Sequence, residues 1–428
     1  MLLGAWESVC SVPGAWAEDL PDAIVQLPEN THGLVVEKKS QTLMVFGNDS
    51  ESQSLALRFK APCSTGEIAG PKEKSGDKKT PEGIYFLIDE YEDKYLSPIY
   101  GSKAFPTDYP NFLDQRAGKN GSAIWIHGTD KLLKPMESNG CVAMNNTDIL
   151  ELAKLIDLHQ TPIVIVESTD SMDVGARNAV AGELNQALEG WATALAQGTY
   201  HDYLAAYSST FLPEMDFWES WQENRDRLSQ DKRVPAMRLD KVGLYHQDAV
   251  YVALFDLHLT AGGQSAYLGK RQLFLKKEAA GFKIIGDVYH TRAKEYAEAK
   301  VSPLVAASRV IWPAQANADE ILIVAKAWLK AWADKDMEAY AGYYASDFVS
   351  DGLRKKAWVR RKTQLSKKYD YIHVSGREFK VIKRKYGYEV RFFQEYASSG
   401  FSTDGTKQLK LKMEGGEWKI FQENRKEK

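Results

Sequence analysis

The most informative stretch of this 428-residue chain reads Ile124-Trp125-Ile126-His127-Gly128-Thr129 and, after a short loop, Ser138-Asn139-Gly140-Cys141-Val142. A histidine stands at the end of an apolar, strand-like run, and a Ser-x-Gly-Cys turn presents a thiol shortly before a helix. Nucleophilic acyl transfer needs a thiolate, and a neighbouring imidazole can supply it by taking the thiol proton. A single buried cysteine is usually inert, but the two elements together predict a catalytic pair, with Cys141 as nucleophile and His127 as its base.

The residues around this pair have expected roles as well. A third group must fix the imidazole tautomer, and either Ser138 or the Gly128 carbonyl could accept its hydrogen. The turn leaves backbone N–H groups free near the sulfur, where an oxyanion would develop. The candidates for oxyanion stabilisation and substrate binding are Asn139, Gly140, Thr129 and the N–H group of Cys141.

The part of the chain that contains these motifs, residues 30–170, is predicted to be a β-rich domain. Short β-type runs such as Thr42 to Phe46 alternate with turns rich in Gly and Pro. One clear helix is expected from Thr147 to Leu158, because the preceding asparagines offer good N-cap chemistry. A last strand is expected from Pro162 to Glu167.

The rest of the chain is a tandem duplication. A shift of 137 residues superposes a series of aromatic residues on a second series, and near the end the offset becomes 136. The matched pairs are Trp191 with Trp328, Tyr203 with Tyr340, Tyr207 with Tyr344, Phe211 with Phe348, Trp221 with Trp358, Leu273 with Leu409, Leu275 with Leu411 and Phe282 with Trp418.

Each copy is expected to open with an amphipathic helix, Ala179 to Gln197 or Ala318 to Ala333, and to close with period-2 strands. Helices followed by antiparallel strands predict two α+β domains, residues 178–296 and 314–428. The segment from Ala293 to Asn317 is then the linker between them.

The motifs of the first domain resemble those of one enzyme family. The domain resembles the YkuD-type L,D-transpeptidase catalytic domain over nearly its whole length. The family's G-D-x-x-T-P-x-G stretch is matched by Gly76-Asp77 and Thr80-Pro81-Glu82-Gly83, which we interpret as structural turn residues on one side of the cleft. Tyr109-Pro110-Asn111 and Asp114 resemble the segment that precedes the family's histidine.

Two positions depart from the family's usual S-H-G-C motif, which carries an arginine two residues after the cysteine. Asn139 and Ala143 stand at those positions here. This variant, with an NTF2-like domain downstream, is similar to the branch that includes L,D-carboxypeptidases shaping helical bacteria. The missing arginine leaves open how the substrate carboxylate is bound and whether a second peptide or water is the acceptor.

The duplicated blocks resemble the NTF2-like fold, a cone whose curved sheet encloses a pocket. The expected fold class is therefore multidomain, with a β-rich YkuD-like catalytic domain and two α+β NTF2-like domains. Because the connection from Glu167 to Asn178 is short, we expect these domains to wall one side of the cleft or to present glycan to it. A homodimer formed through the NTF2-like domains is left open.

The resemblance implies a peptidoglycan stem peptide as substrate, cut on the carboxyl side of its third residue, a diamino acid. Cys141 would form an acyl-thioester. A second stem resolves it into a cross-link in an L,D-transpeptidase, the preferred interpretation, whereas water resolves it into a trimmed stem in an L,D-carboxypeptidase. Neither a metal nor another cofactor is expected. The hypothesis of another class is a non-catalytic peptidoglycan-binding scaffold whose NTF2-like domains do the binding.

Charge and composition narrow the partners and the location. The net charge of −3 argues against nucleic acid, and the basic run Arg354 to Lys356 with Arg360 to Lys362 is interpreted as a solvated helix face. The sequence contains no stretch of about 18 consecutive apolar residues, so it predicts no transmembrane segment. Residues 1–17 end in Ala15-Trp16-Ala17 and predict a degenerate or truncated secretory signal, hence a periplasmic or cell-envelope protein.

The cysteines add little beyond the catalytic candidate. Cys10, Cys63 and Cys141 do not make a disulfide framework, and no metal-ligand spacing is present. Cys63 has no partner motif and is expected to be a small core residue.

Overall fold

The computed structural model describes residues 20–48, 55–92, 94, 97–230, 232–311 and 318–426. The expected signal segment, residues 1–17, and Cys10 lie outside these described residues. Among the helices of the described ranges, none has the length and apolar character needed to cross a membrane.

The first domain is built from two sheets that share one core. Its strands are β1 (Leu20–Pro21), β2 (Ile24–Gln26), β3 (Thr31–Glu37), β4 (Thr42–Asn48), β5 (Leu55–Pro62), β6 (Gly83–Phe86), β7 (Tyr91–Glu92), β8 (Lys103–Pro106), β9 (Trp125–Thr129), β10 (Val142–Asn145), β11 (Pro162–Val166) and β12 (Ser171–Met172). One sheet has the order β5-β4-β3-β11-β6 and the other the order β10-β9-β8-β7. Apolar side chains of both sheets, including Leu34, Tyr85, Ile126 and Val142, are buried between them. The strand that carries His127 and the strand that follows Cys141 both contribute side chains to this core.

The helices of this domain are short. They are α1 (Phe112–Arg116) and α2 (Asn146–Leu152). The prediction of a helix to Leu158 was too long, because α2 ends at Leu152 and Ala153–Leu155 forms a 3-10 turn. Asn145 precedes α2 but makes no side-chain cap hydrogen bond. Its amide donates to Asp148 instead, at 2.9 Å.

The first repeat has three helices followed by a four-stranded meander. Its elements are α3 (Val174–Gln197), α4 (Tyr200–Leu204), α5 (Trp218–Gln230), β13 (Ala236–Gln247), β14 (Val250–Ala261), β15 (Gln264–Glu278) and β16 (Gly281–Arg292). The sheet order is β16-β15-β14-β13-β2, so an N-terminal strand completes its edge. One sheet face covers the helices around Trp191 and Trp221. The other face packs on the first domain, where Tyr245 and Phe274 join the cluster that contains Phe86.

The predicted linker from Ala293 to Asn317 is wrong for most of its length. Lys294–Tyr296 forms a 3-10 turn, and α6 (Pro303–Ile311) is a helix. Leu304, Val305 and Ile311 of α6 are buried in the core of the first repeat. This apolar helix therefore belongs to the first repeat, and the connection to the second begins only after Ile311.

The second repeat has the same order of three helices and four long strands, with a short two-stranded hairpin added before its third helix. Its elements are α7 (Ala318–Ala333), α8 (Met337–Gly342), β17 (Val349–Ser350), β18 (Leu353–Arg354), α9 (Lys355–Lys368), β19 (Ile372–Arg384), β20 (Gly387–Ser398), β21 (Phe401–Glu414) and β22 (Glu417–Lys426). Its long strands form a sheet in the order β19-β20-β21-β22. The paired aromatics make equivalent hydrogen bonds, since Trp191 donates to Tyr207 and Trp328 donates to Tyr344, both at 3.0 Å. The two repeats thus share internal contacts as well as sequence pattern.

Candidate active site

The predicted catalytic pair lies on two adjacent parallel strands. In the ladder between β9 and β10, Ala143 pairs with His127 and Val142 with Ile126. His127 is thus the middle residue of β9 rather than its end, and Cys141 immediately precedes a strand rather than a helix. Strand pairing brings the two side chains to one edge, and both line the same cleft.

The imidazole of His127 is held in one orientation. Its Nδ1 lies 2.6 Å from the carbonyl oxygen of Gly128, and because a carbonyl only accepts, Nδ1 carries the hydrogen. The ring of Tyr100 packs edge-on against the imidazole, with centroids 5.0 Å apart. Of the two predicted acceptors, the Gly128 carbonyl is therefore the one in contact, and Nε2 remains available as a base.

Gly128 has a steric reason to be glycine. A Cβ at this position would lie 2.2 Å from Oδ1 of Asn146. That oxygen accepts a hydrogen bond from the backbone N–H of Ser102 at 2.9 Å, which fixes the amide in place. Any side chain at Gly128 would displace Asn146 and with it the carbonyl that orients His127.

Ser138 supports the cysteine turn instead of the imidazole. Its hydroxyl donates to the Cys141 carbonyl at 2.6 Å and accepts from the Gly140 N–H at 3.1 Å. The expectation that Ser138 fixes the imidazole is thus not met, because its hydroxyl is used inside the turn. The same bond occupies the Gly140 N–H, so the N–H groups of Asn139 and Cys141 are left as the candidate oxyanion donors.

The Thr-Pro stretch holds this turn from behind. The buried Thr80 hydroxyl donates to the Gly140 carbonyl at 2.9 Å and accepts from the Gly66 N–H at 2.8 Å. Gly140 itself has φ +128°, and a Cβ there would lie 2.7 Å from the Lys79 carbonyl oxygen. The residues that were expected to line the cleft therefore act beneath it, as a brace for the nucleophile.

A buried ion pair lies next to this brace. Lys72 Nζ is 2.6 Å from Asp77 Oδ1, and both side chains are more than 90% buried. Burial alone would raise the pKa of Asp77, but hydrogen bonds from Lys72 and from the N–H groups of Glu73, Lys74 and Lys79 hold it well below its ordinary range. The Asp77 carboxylate therefore stays charged, and the hydrogen bonds that it accepts from backbone N–H groups hold the loop of residues 73–79 together.

Burial shifts the pKa values of both members of the candidate pair. It lowers the pKa of His127, and the hydrogen bond to Gly128 offsets only part of this shift. It also raises the pKa of the Cys141 thiol, against the opposing effects of the Trp125 N–H and the Lys72 ammonium. Both directions favour a neutral thiol beside a neutral imidazole at neutral pH. The Cys141 thiol donates to the carbonyl oxygen of Ala123 at 3.4 Å, so its hydrogen is not directed at His127 in this structure.

The cleft has a volume of about 190 Å³ and is lined only by residues between Ser64 and Ala143. Eight of its lining residues were not predicted from the sequence, among them Tyr100, Lys131 and Leu132, which stand in segments without a motif. Thr129 and Asn139 line the cleft as expected. Neither repeat contributes to its lining, so the expected wall of NTF2-like domains is not seen.

The two described cysteines differ in environment. Cys63 is buried in the core of the first domain, and burial raises its pKa to about 12. Cys63 and Cys141 are both free thiols. Within the described residues, no group of three or more His, Cys, Asp or Glu side chains could hold a metal ion.

Two parts of the chain match models of known protein families. Residues 31–165 match the model of the L,D-transpeptidase catalytic domain, YkuD. The chain contains a YkuD-type L,D-transpeptidase catalytic domain. Residues 320–424 match the model of the Cds6 C-terminal NTF2-like domain, so the second repeat is NTF2-like.

Individual relatives cover parts of the chain. YafK of Escherichia coli (strain K12), whose name describes an L,D-transpeptidase, is 29% identical over 155 residues, which are 36% of this chain and 56% of YafK. The chain thus spans little more than half the length of the curated relatives it matches. The structure of Bd1075 from Bdellovibrio bacteriovorus covers 65% of this chain and 100% of its own, with 25% identity and a TM-score of 0.54. Pgp2 of Campylobacter jejuni, described as a helical cell shape determining protein, covers 64% of this chain and 96% of its own, with 22% identity and a TM-score of 0.49.

Proposed function

We propose that this YkuD-type protein is a peptidoglycan L,D-transpeptidase that forms its acyl-enzyme on Cys141. The observation that carries the proposal is the arrangement of the pair. Cys141 and His127 line one cleft, and the bond from His127 Nδ1 to Gly128 leaves Nε2 as the free nitrogen. A positioned imidazole beside a thiol is what cysteine acyl transfer requires.

The reaction begins with attack of the Cys141 sulfur on the carbonyl carbon that precedes the terminal D-amino acid of a stem peptide. His127 Nε2 takes the thiol proton as the C–S bond forms, because the resting pair is neutral, and then gives it to the leaving amine. The N–H groups of Asn139 and Cys141 stabilise the oxyanion. An amine of a second stem then attacks the thioester, His127 passes its proton to the departing sulfur, and a new peptide bond remains.

The substrate carboxylate is bound by Lys131 in this proposal. The family's usual arginine is replaced by Ala143, whose short side chain cannot bind a carboxylate. Lys131 also lines the cleft, and no carboxylate of the described residues forms an ion pair with it, whereas its neighbour Lys134 pairs with Glu137 at 3.2 Å. A free ammonium at the rim provides the missing charge.

Hydrolysis is the second candidate, which would make the protein an L,D-carboxypeptidase. Ala143 at the arginine position and the small cleft, about 190 Å³, favour water as the acceptor. Against this, neither repeat lines the cleft, so no other domain blocks the approach of a second stem. For that reason transpeptidation remains the first choice.

The first repeat, predicted as residues 178–296 and extended by α6, we assign as a second NTF2-like domain, on the strength of the shared hydrogen bonds of Trp191 and Trp328. The substrate places the whole chain in the cell envelope, where the NTF2-like domains would contact stem peptides or glycan.

Incubation of the full chain with purified disaccharide tetrapeptides, followed by mass spectrometry, tests the proposal. Dimers joined between two diamino acids are expected. Cys141→Ala should lower turnover roughly 10⁴-fold or more, since nucleophile and base act as a unit. Cys63→Ala is the matched control and should keep activity, because that thiol is buried away from the cleft. Tripeptide as the sole product at high acceptor concentration would assign hydrolysis, and no product with any substrate would leave the non-catalytic scaffold.

A further inference from the structure

The helix α9 of the second repeat has an unusual charge composition. Its 14 residues, Lys355–Lys368, include seven Lys or Arg and neither Asp nor Glu. Its counterpart at an offset of 137, α5, carries three acidic and two basic residues. The two helices occupy the same place in the fold, so the fold itself does not require this charge.

Five of the seven cations of α9 lie on its exposed side. Trp358 and Lys362 face inward, with Lys362 Nζ above the rings of Trp332 and Trp358 at 4.8 and 5.0 Å. Lys356, Arg360 and Lys367 are exposed and follow helical spacing, so they form a row about 16 Å long. Arg361 and Lys368 each follow a residue of this row, are also exposed, and form a second row beside the first. We call these five residues the cationic stripe.

The stripe is electrostatically unfavourable by itself. Lys356 and Arg360 are four residues apart, a spacing at which like charges repel. Arg354 is the N-cap residue, makes no side-chain cap bond, and places a further cation at the positive end of the helix dipole. In the described parts of the chain, no carboxylate forms an ion pair with a stripe residue, whereas Arg227 of α5 pairs with Glu320 at 3.4 Å.

Exposed apolar side chains flank both ends of the helix. Val349 is 45% exposed and pairs with Arg354 across the short hairpin before α9. Tyr371 is 47% exposed and follows the C-terminal end of α9. Tyrosine at the edge of a basic surface is typical of a membrane–water interface, where its ring meets the headgroups. A soluble anionic polymer would give these apolar groups nothing to bury against.

We propose that the cationic stripe docks the C-terminal domain on a bilayer of anionic phospholipids. Because Trp358 anchors the inner side of α9 in the domain core, the helix lies on the surface and does not insert. Each Lys or Arg at an anionic surface contributes about 1 kcal/mol of binding free energy. The docking does not depend on the chemistry of Cys141, so it is tested without turnover.

The test is co-sedimentation of the full-length protein with vesicles of phosphatidylglycerol mixed into phosphatidylcholine. Binding is expected to these vesicles and not to phosphatidylcholine alone, and to vanish between about 0.15 M and about 1 M salt, where the screening length falls from about 8 to about 3 Å. The variant K356Q/R360Q/K367Q should bind about 100-fold more weakly, which is three contributions of about 1 kcal/mol at 1.4 kcal/mol per factor of ten.

A matched control removes the same charge from the same domain. Lys380, Lys383 and Lys385 are exposed on β19 and its hairpin, and K380Q/K383Q/K385Q should change binding less than about threefold, because these residues lie outside the stripe. Equal loss in both variants would show that only net charge matters and would overturn the proposal. Retention on heparin without any vesicle binding would overturn it too, in favour of an anionic polymer. Circular dichroism checks that both variants are folded.

Discussion

The two repeats have nearly the same interior and very different exteriors. In the first, Tyr207 donates to Asp287 at 2.5 Å, and Arg271 pairs with the same carboxylate. In the second, Tyr344 donates to Glu423 at 2.7 Å, and Lys407 takes the place of the arginine. A tyrosine, a carboxylate and a cation thus form one conserved polar cluster inside both copies.

The outer sheet faces differ at most of the equivalent positions. In the first repeat this face presents Tyr245, Val252, Leu254 and Phe274, and it is buried against the catalytic domain. The strand registers place Ile382, Glu389, Arg391 and Lys410 at the same positions in the second repeat. The interior sets the fold, whereas the outer face decides whether a copy docks on the catalytic domain.

The cavities differ as well. Leu195 lines a cavity of about 680 Å³ in the first repeat, together with Tyr203 and Arg271. The position of Leu195 is taken by Trp332 in the second repeat, where the ring packs at 5.3 Å from Tyr340. The larger ring of Trp332 thus fills space beside Tyr340 that Leu195 leaves open to the cavity of the first repeat.

The largest expected effect is at the docking face. Phe274→Asp should lower the free energy of unfolding by about 4 kcal/mol or more, because it removes a buried ring and buries an unpaired charge. Lys410→Asp, at the same position of the second repeat, should change it by less than about 1 kcal/mol. The shift of the first transition in urea unfolding measures the change in stability of each variant. Equal costs would mean that the second repeat also docks through this face.

The next largest effect on stability is expected in the polar clusters of the two repeats. Glu423→Gln leaves the Lys407 side chain, only 9% exposed, without its carboxylate and should cost about 3–5 kcal/mol. Asp287→Asn leaves Arg271, which lines the cavity and can be hydrated there, so we expect about half that loss. Thermal unfolding of the two single variants decides. A larger loss for Asp287→Asn would place the drier cluster in the first repeat.

The stability difference between wild type and Glu423→Gln should depend on pH in one direction. Burial would raise the pKa of Glu423, but the ammonium groups of Lys407 and Lys362 hold it below the ordinary 4.5. A carboxyl with a depressed folded pKa stabilises the protein above its unfolded pKa, and this contribution is lost as pH falls through the folded value. The stability gap between wild type and Glu423→Gln should therefore narrow below pH 4.5. A gap independent of pH would exclude the charge as its cause.

The smallest expected effect concerns the equivalent positions Leu195 and Trp332. Trp332→Leu should open a void and cost about 2–3 kcal/mol, while Leu195→Trp should cost less than about 1.5 kcal/mol, because the adjacent cavity can accept the ring. Urea unfolding compares the two variants. A severe loss for Leu195→Trp would show that the cavity is not open to that side chain.

The candidate site combines residues that the sequence predicts with residues that only the fold brings to the cleft. His127 and Cys141 could be predicted because a strand, a glycine and a Ser-x-Gly-Cys turn are local features of the sequence. Tyr100 and Lys131 could not, since they stand in segments without a motif and reach the cleft only through the fold. The sequence left both Ser138 and the Gly128 carbonyl as acceptors for the imidazole, because the position of Ser138 in the chain does not tell where its hydroxyl points.

The sequence by itself determined the candidate pair His127 and Cys141, the Ser-x-Gly-Cys turn and the duplicated pattern, because these depend on residue type and spacing. Only the tertiary structure decided that Ser138 bonds to the turn, that α6 belongs to the first repeat, and that one repeat docks while the other stays exposed. Such choices depend on which distant surfaces meet, and the burial of an apolar face has no counterpart in a local pattern.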